Sequence, residues 1–151
     1  MKPKDPFKAP EDLFNLGIKA LIKNQNGDIL LLEADNSRFK TMDPHWDLPG
    51  GRIHKNTSVR ETLKREVEEE TGIKRMVIGG MLDASISNHR IPFGDNSIGI
   101  ILFIYICSVP HTTKITLSGE HKSYKWCKVQ EARKLLKSKY PKEFTKKIAD
   151  L

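Results

Sequence analysis

The stretch that decides the fold runs from Gly51 to Ile73, GRIHKNTSVRETLKREVEEETGI. Its second half predicts a helix over Ser58 to Thr71 that is marked at both ends. Ser58, with Glu61 three residues on, forms a capping box, in which a hydroxyl and a carboxylate satisfy backbone N–H groups that the first turn leaves unpaired. Gly72 supplies the stop, because glycine enters the left-handed region without steric cost. Val59, Leu63 and Val67 recur every four residues and give the helix a buried apolar stripe.

At about 100° per residue, Glu69 lies about 60° to one side of Glu66 and Glu70 about 40° to the other, so three carboxylates share one face. Glu61 and Glu68 point roughly opposite and read as capping or solvated residues. The apolar stripe borders the acidic sector, which puts the cluster at the edge of the core. Ionised carboxylates so close repel one another, and a divalent cation relieves that repulsion. Hard oxygen ligands of this kind suit Mg²⁺ or Mn²⁺ better than zinc. Arg65, one turn before Glu69, supports that carboxylate as an i,i+4 pair. Taken by itself, the run REVEEE reads equally as a charged surface helix.

The spacing of the whole segment is more specific. It resembles the Nudix box: Gly, five residues, Glu, seven residues, then Arg-Glu-aliphatic-any-Glu-Glu-any-Gly-aliphatic. Gly51, Arg65, Glu66, Val67, Glu69, Glu70, Gly72 and Ile73 all fall in register, eight of the nine specified positions, with Thr57 in place of the first Glu. Trp46-Asp47-Leu48-Pro49-Gly50 looks like the strand that enters the box. Glu120 through Trp126 to Glu131 looks like the closing strand and terminal helix.

The resemblance implies an α/β fold, an α/β/α sandwich with a mixed β-sheet. It implies a pyrophosphohydrolase acting on a nucleoside diphosphate linked to another group: a nucleoside triphosphate, a nucleotide sugar or a related small nucleotide. Glu66, Glu69 and Glu70 would bind Mg²⁺, with Mn²⁺ as a substitute and the Gly51 carbonyl completing the shell. Glu69, Arg65 and Glu120 form the expected catalytic set, Glu120 as general base, with His121 and His54 as weaker alternatives. Arg52 would meet a phosphate, and Arg90, beside His89, a phosphate or ribose. Thr57 brings no charge where the family's Glu supports the metal site. Asp47 or Glu120 could compensate, or Thr57 could instead help begin the helix beside Ser58. A catalytically weak nucleotide-binding module is therefore the alternative function. A homodimer is compatible with folds of this kind.

Working outward, 151 residues suffice for one domain with its own core, here expected over 1–151. Leu16 to Lys23 and Ile29 to Glu33 are β-prone runs separated by an Asn-Gly turn, which predicts an opening hairpin. A polar loop, Ala34 to Pro44, leads to a short strand at Trp46 to Leu48, and Pro49-Gly50-Gly51 reads as a turn. Further strands are expected at Met76 to Ile86, Ser97 to Val109 and Ser123 to Val129, the second as a central strand. Helical spacing returns over Val129 to Lys137 and Pro141 to Ala149, with Pro141 suited to a first turn.

Composition narrows the function classes. The N-terminus carries charges and prolines where a signal peptide needs an apolar run, and no apolar stretch is long enough to span a bilayer, so a cytoplasmic protein without membrane attachment is expected. Cys107 and Cys127 lack metal-site spacing and read as buried free thiols. The net charge of +7 gives a general affinity for anions. Its excess lies in the last quarter, where Lys122, Lys125, Lys128, Arg133, Lys134, Lys137, Lys139, Lys142, Lys146 and Lys147 read as a solvated face. RNA binding or RNA 5′-end processing fits that charge but is not favoured, because no RNP-like aromatic motif or Gly-x-x-Gly clamp is present. Phe93, Tyr105 and Trp126 could stack on a base, but aromatics inside strand-like runs read first as core.

Overall fold

The computed structural model describes residues 4–35, 45–110 and 113–151. The polar loop expected over Ala34 to Pro44 lies almost wholly outside them. Among the described residues, eight strands form one mixed sheet. The apolar run near the N-terminus becomes β1 (Phe14–Lys23), and the Asn-Gly turn returns the chain antiparallel as β2 (Ile29–Ala34). Trp46–Asp47 form β3, antiparallel to β2.

Of Pro49-Gly50-Gly51, expected as a turn, the two glycines instead open a strand, β4 (Gly50–Arg52), antiparallel to Gly17–Lys19 of β1. Gly50 sits at φ 144°, and a Cβ there would lie 2.0 Å from the Ile18 carbonyl oxygen. The glycine pair is therefore what lets the box segment lie flat against β1.

The capped helix, α1 (Val59–Thr71), follows. Ser58 Oγ accepts from the Glu61 N–H at 3.1 Å, and Glu61 Oε2 accepts from the Ser58 N–H at 2.9 Å. Gly72 ends the helix at φ 73°. Strand β5 (Val77–Ile86) and the short β6 (Ile91–Phe93), which the sequence reading missed, both pair antiparallel with β7 (Asn96–Ser108). β7 runs parallel to β1 from Phe14↔Gly99 to Lys23↔Ser108, which makes the sheet mixed and β7 central. β8 (His121–Cys127) pairs with β2. Two short helices, α2 (Val129–Leu135) and α3 (Lys142–Lys147), close the chain, and Pro141 caps α3 from just outside its first turn.

Strand alternation sends side chains to two faces. Ile18, Ala20, Ile22, Leu30 and Leu32 pack with Leu63 and Val67 of α1. Leu21, Ile29 and Leu31 pack on the other face with Ala132, Leu136, Phe144 and Ile148. Leu63 and Val67 are fully buried, worth roughly 1.5–3 kcal/mol each. The result is helix, sheet, helix: the α/β/α sandwich, with α1 held so that one flank faces β4. No helix among the described residues is long and apolar enough to cross a membrane.

Candidate active site

The three carboxylates occupy one flank of α1 but in three different environments. Glu69 is 58% exposed, Glu66 15% and Glu70 5%. Glu70 turns into the sheet, where its Oε1 accepts from the Gly50 N–H at 3.2 Å and its Oε2 lies 3.3 Å from His121 Nε2. Burial raises the Glu70 carboxyl to about 8, and the nearby Asp47 and Glu66 charges add to this against the pull of Lys19 and the Gly50 N–H. Burial, then Lys19, pushes the His121 imidazole below its ordinary value.

Gly51 and Glu66 are in direct apposition: a Cβ on Gly51 would fall 2.4 Å from Glu66 Cδ. Arg65 lies 3.2 Å from Glu66 and 3.7 Å from Glu69, the second being the expected i,i+4 pair. The Glu66 contact is an ion contact without hydrogen-bond alignment, and Arg65 Nη2 has no hydrogen-bond acceptor among the described residues.

Among the described residues, no three His, Cys, Asp or Glu side chains converge tightly enough to form a ready metal cage. A divalent cation still fits the donor set. Glu66, Glu69 and Glu70 offer hard oxygens, the missing Cβ of Gly51 leaves its backbone beside Glu66, and carboxylate crowding contributes to the raised Glu70 carboxyl. Glu69 stands at the exposed end of this donor set, paired with Arg65.

A cleft of about 330 Å³ opens beside this flank, and Gly51, Arg52, Glu120 and His121 line it. Glu120 is exposed at the turn before β8, and its backbone carbonyl accepts from the Asp35 N–H at 3.1 Å. His121, the weaker alternative as general base, is 12% exposed at the start of β8. His54 is exposed, and its carbonyl accepts from Thr57 Oγ1 at 2.8 Å. That same hydroxyl lies 3.2 Å from Thr62 Oγ1, so Thr57 braces the entry to α1. Arg90 reaches the cleft rim, but its guanidinium is already held in a fork by Asp12 at 2.6 and 3.0 Å and by Ser97 at 2.8 Å. Tyr105 and Trp126 pack against the α1-side core, and Phe93 is exposed against Phe7 with ring centroids 5.9 Å apart.

The sequence reading missed the floor of the cleft. Asp47 is buried, accepting from Lys19 Nζ at 2.8 Å, from Tyr140 Oη at 2.6 Å and from Lys139 Nζ. Lys139 is thus no part of the solvated basic face, being 8% exposed, whereas Lys122, Lys134, Lys137, Lys142 and Lys146 are exposed as expected. Burial pushes Asp47 upward, but Lys139 and Lys19 outweigh it and hold the carboxyl well below its usual range. Burial and repulsion by Lys19 depress the Lys139 ammonium against the pull of Asp47. Lys19 also donates to the Leu48 carbonyl at 3.2 Å, which ties the floor to the segment that leads into β4. A lone lysine within the apolar run of β1 was the one available signal.

The class that this fold and acidic helix flank define is the Nudix-type pyrophosphohydrolases. A model of the NUDIX domain matches residues 13–148, and the chain belongs to that family. It is 27% identical over 115 residues to CTP pyrophosphohydrolase of Escherichia coli (strain K12), covering 76% of this chain and 77% of that protein. It is 33% identical over 72 residues to Nudix hydrolase 5 of Arabidopsis thaliana, 47% of this chain but only 24% of that protein's length. The crystal structure of the MutT protein from Methanosarcina mazei Go1 matches at TM-score 0.71 and 27% identity, covering 94% of this chain and 95% of that one.

Proposed function

We propose that this chain, as one domain, hydrolyses a phosphoric anhydride bond in a small nucleotide: a nucleoside diphosphate linked to a further phosphate, a sugar or a related group. The observation that carries the reading is the meeting of the acidic flank of α1 with Gly50 and Gly51 of β4, where Gly51 lines the cleft. The similarity to a CTP pyrophosphohydrolase over three quarters of both chains supports the nucleoside triphosphates as the first substrates to try.

Glu66, Glu69, Glu70 and the Gly51 carbonyl would hold Mg²⁺ or Mn²⁺. When bound, the ion neutralises diphosphate charge and lowers the pKa of an attacking water. Arg65 holds Glu66 and Glu69 on the flank, and Arg52 meets a phosphate oxygen from the cleft wall. Glu120, exposed at the same mouth, takes the proton from water, and in-line displacement then relies on positioning and charge neutralisation. Arg90 contributes to substrate binding only if the ligand displaces Asp12 from its fork.

Thr57 motivates a second reading, nucleotide binding with slow turnover, because an uncharged hydroxyl stands at the box position of the first Glu. One experiment separates the two. Phosphate release is followed over a panel of nucleoside triphosphates, ADP-ribose, nucleotide sugars and dinucleoside polyphosphates with Mg²⁺ or Mn²⁺. Metal-dependent turnover of at least one class supports the hydrolase, whereas bound but intact nucleotides across the panel would leave the binding module.

A further inference from the structure

A second cleft, of about 920 Å³, lies away from the carboxylates. Lys23, Lys64, Lys74 and Arg75 line it, against a single acid, Glu68. They come from the end of β1, the outer face of α1 and the segment that leads from α1 into β5. Lys64 is two positions from Glu66, about 160° around the helix, and Lys23 is four strand residues beyond Lys19, about 13 Å along β1. The cleft is therefore separate from the site above.

Unlike Lys125, Lys128, Lys147 and Arg90, which are all paired, none of these four cations makes a salt bridge or side-chain hydrogen bond among the described residues. Four unneutralised cations around one concavity concentrate a positive potential there. Ile73, Met76 and Val77 give the cleft an apolar wall, and Val77 is 69% exposed. Among the described residues no aromatic side chain lines the cleft, which gives no stacking platform of the kind that holds single-stranded nucleic acid.

We propose that this cleft is a second ligand site, for a small ester carrying two or more phosphates. The four cations would hold the phosphates, Glu68 would accept from a hydroxyl of the ester, and the aliphatic wall would cover its organic part. No step of the proposed hydrolysis uses any of these residues, so the two readings stand or fall apart.

Backbone amide shifts of the whole chain, recorded by NMR during titration with ADP and with inorganic tripolyphosphate in EDTA, test this. ADP should shift residues 23–25, 64 and 73–77 along a curve distinct from that of residues 50–52 and 120–121. The double variant Lys64→Glu/Arg75→Glu should weaken the first curve at least tenfold and leave the second unchanged, with a dispersed spectrum as the control for folding. The milder Arg75→Ala should weaken it by a smaller factor. Tripolyphosphate binding as tightly as ADP would assign recognition to the phosphates alone and still support the site. Shifts confined to the hydrolytic cleft, insensitivity to both variants, or at least tenfold tighter binding of an oligoribonucleotide at the same residues would overturn it.

Discussion

Replacing Asp47 by Asn should unfold the protein far more readily than a change of one charge suggests. The carboxylate accepts from Lys19, Lys139 and Tyr140 in a pocket where both lysine side chains are no more than 10% exposed. An amide keeps the shape and removes the charge, leaving two buried ammonium groups without a counter-ion. Breaking a buried ion pair from one side costs about 3–5 kcal/mol. For a chain of this size that is roughly 6–20 °C in Tm, at about 2–4 °C per kcal/mol. The assay is urea unfolding by circular dichroism at pH 7, with a thermal scan beside it. The folded-state carboxyl is depressed, so its contribution is present above the unfolded pKa of about 4 and is lost as pH falls through the folded value. The gap between native and Asp47→Asn protein should accordingly narrow below about pH 4. A loss under about 1 kcal/mol at pH 7, or a gap that stays constant with pH, would refute the reasoning.

Three further outcomes follow from the same geometry. Ser58→Ala removes one arm of the capping box and should cost about 1 kcal/mol in urea unfolding, with little change in turnover. Gly51→Ala puts a methyl group 2.4 Å from Glu66 Cδ, so turnover in a phosphate-release assay should fall at least about tenfold, as expected for misplaced catalytic groups. Glu70, with its folded carboxyl raised to about 8, takes up a proton on folding between its unfolded value and pH 8, so metal-free stability should decline across that window. Glu70→Gln should flatten that decline in thermal scans, and Mg²⁺ should raise the Tm of the native protein more at pH 8.5 than at pH 6.

What the sequence made legible was mostly local. The helix α1 is announced by Ser58, Glu61 and Gly72, each acting within one turn, and the capping box and left-handed stop stand where those residues place them. The β1–β2 hairpin is equally local. β4 escaped notice because three residues with two glycines show no strand propensity; only the apposition of Gly50 with the Ile18 carbonyl reveals why they lie flat. β6 was hidden by Pro92 within a polar stretch. The floor of the cleft is a problem of distance along the chain: Asp47 meets Lys19 at a separation of 28 residues and Lys139 at 92. Lys139 was lost among the surface lysines around it, since a charge run has no period that marks which member turns inward. Likewise the Asp12–Arg90 fork, 78 residues apart, occupies the arginine that a loop reading left for phosphate.

In the proposed function the α1 carboxylates act together as a metal site that drives anhydride hydrolysis. Mn²⁺ binding, followed by electron paramagnetic resonance, and Mg²⁺-dependent phosphate release from the best substrate of the panel should be measured in parallel on native protein and on Glu69→Gln. Both should fall together, binding by at least about tenfold and turnover further, with the Tm of the metal-free protein unchanged within a few degrees because Glu69 is largely exposed. Undiminished metal-dependent turnover in Glu69→Gln, or turnover that needs no divalent ion, would contradict it.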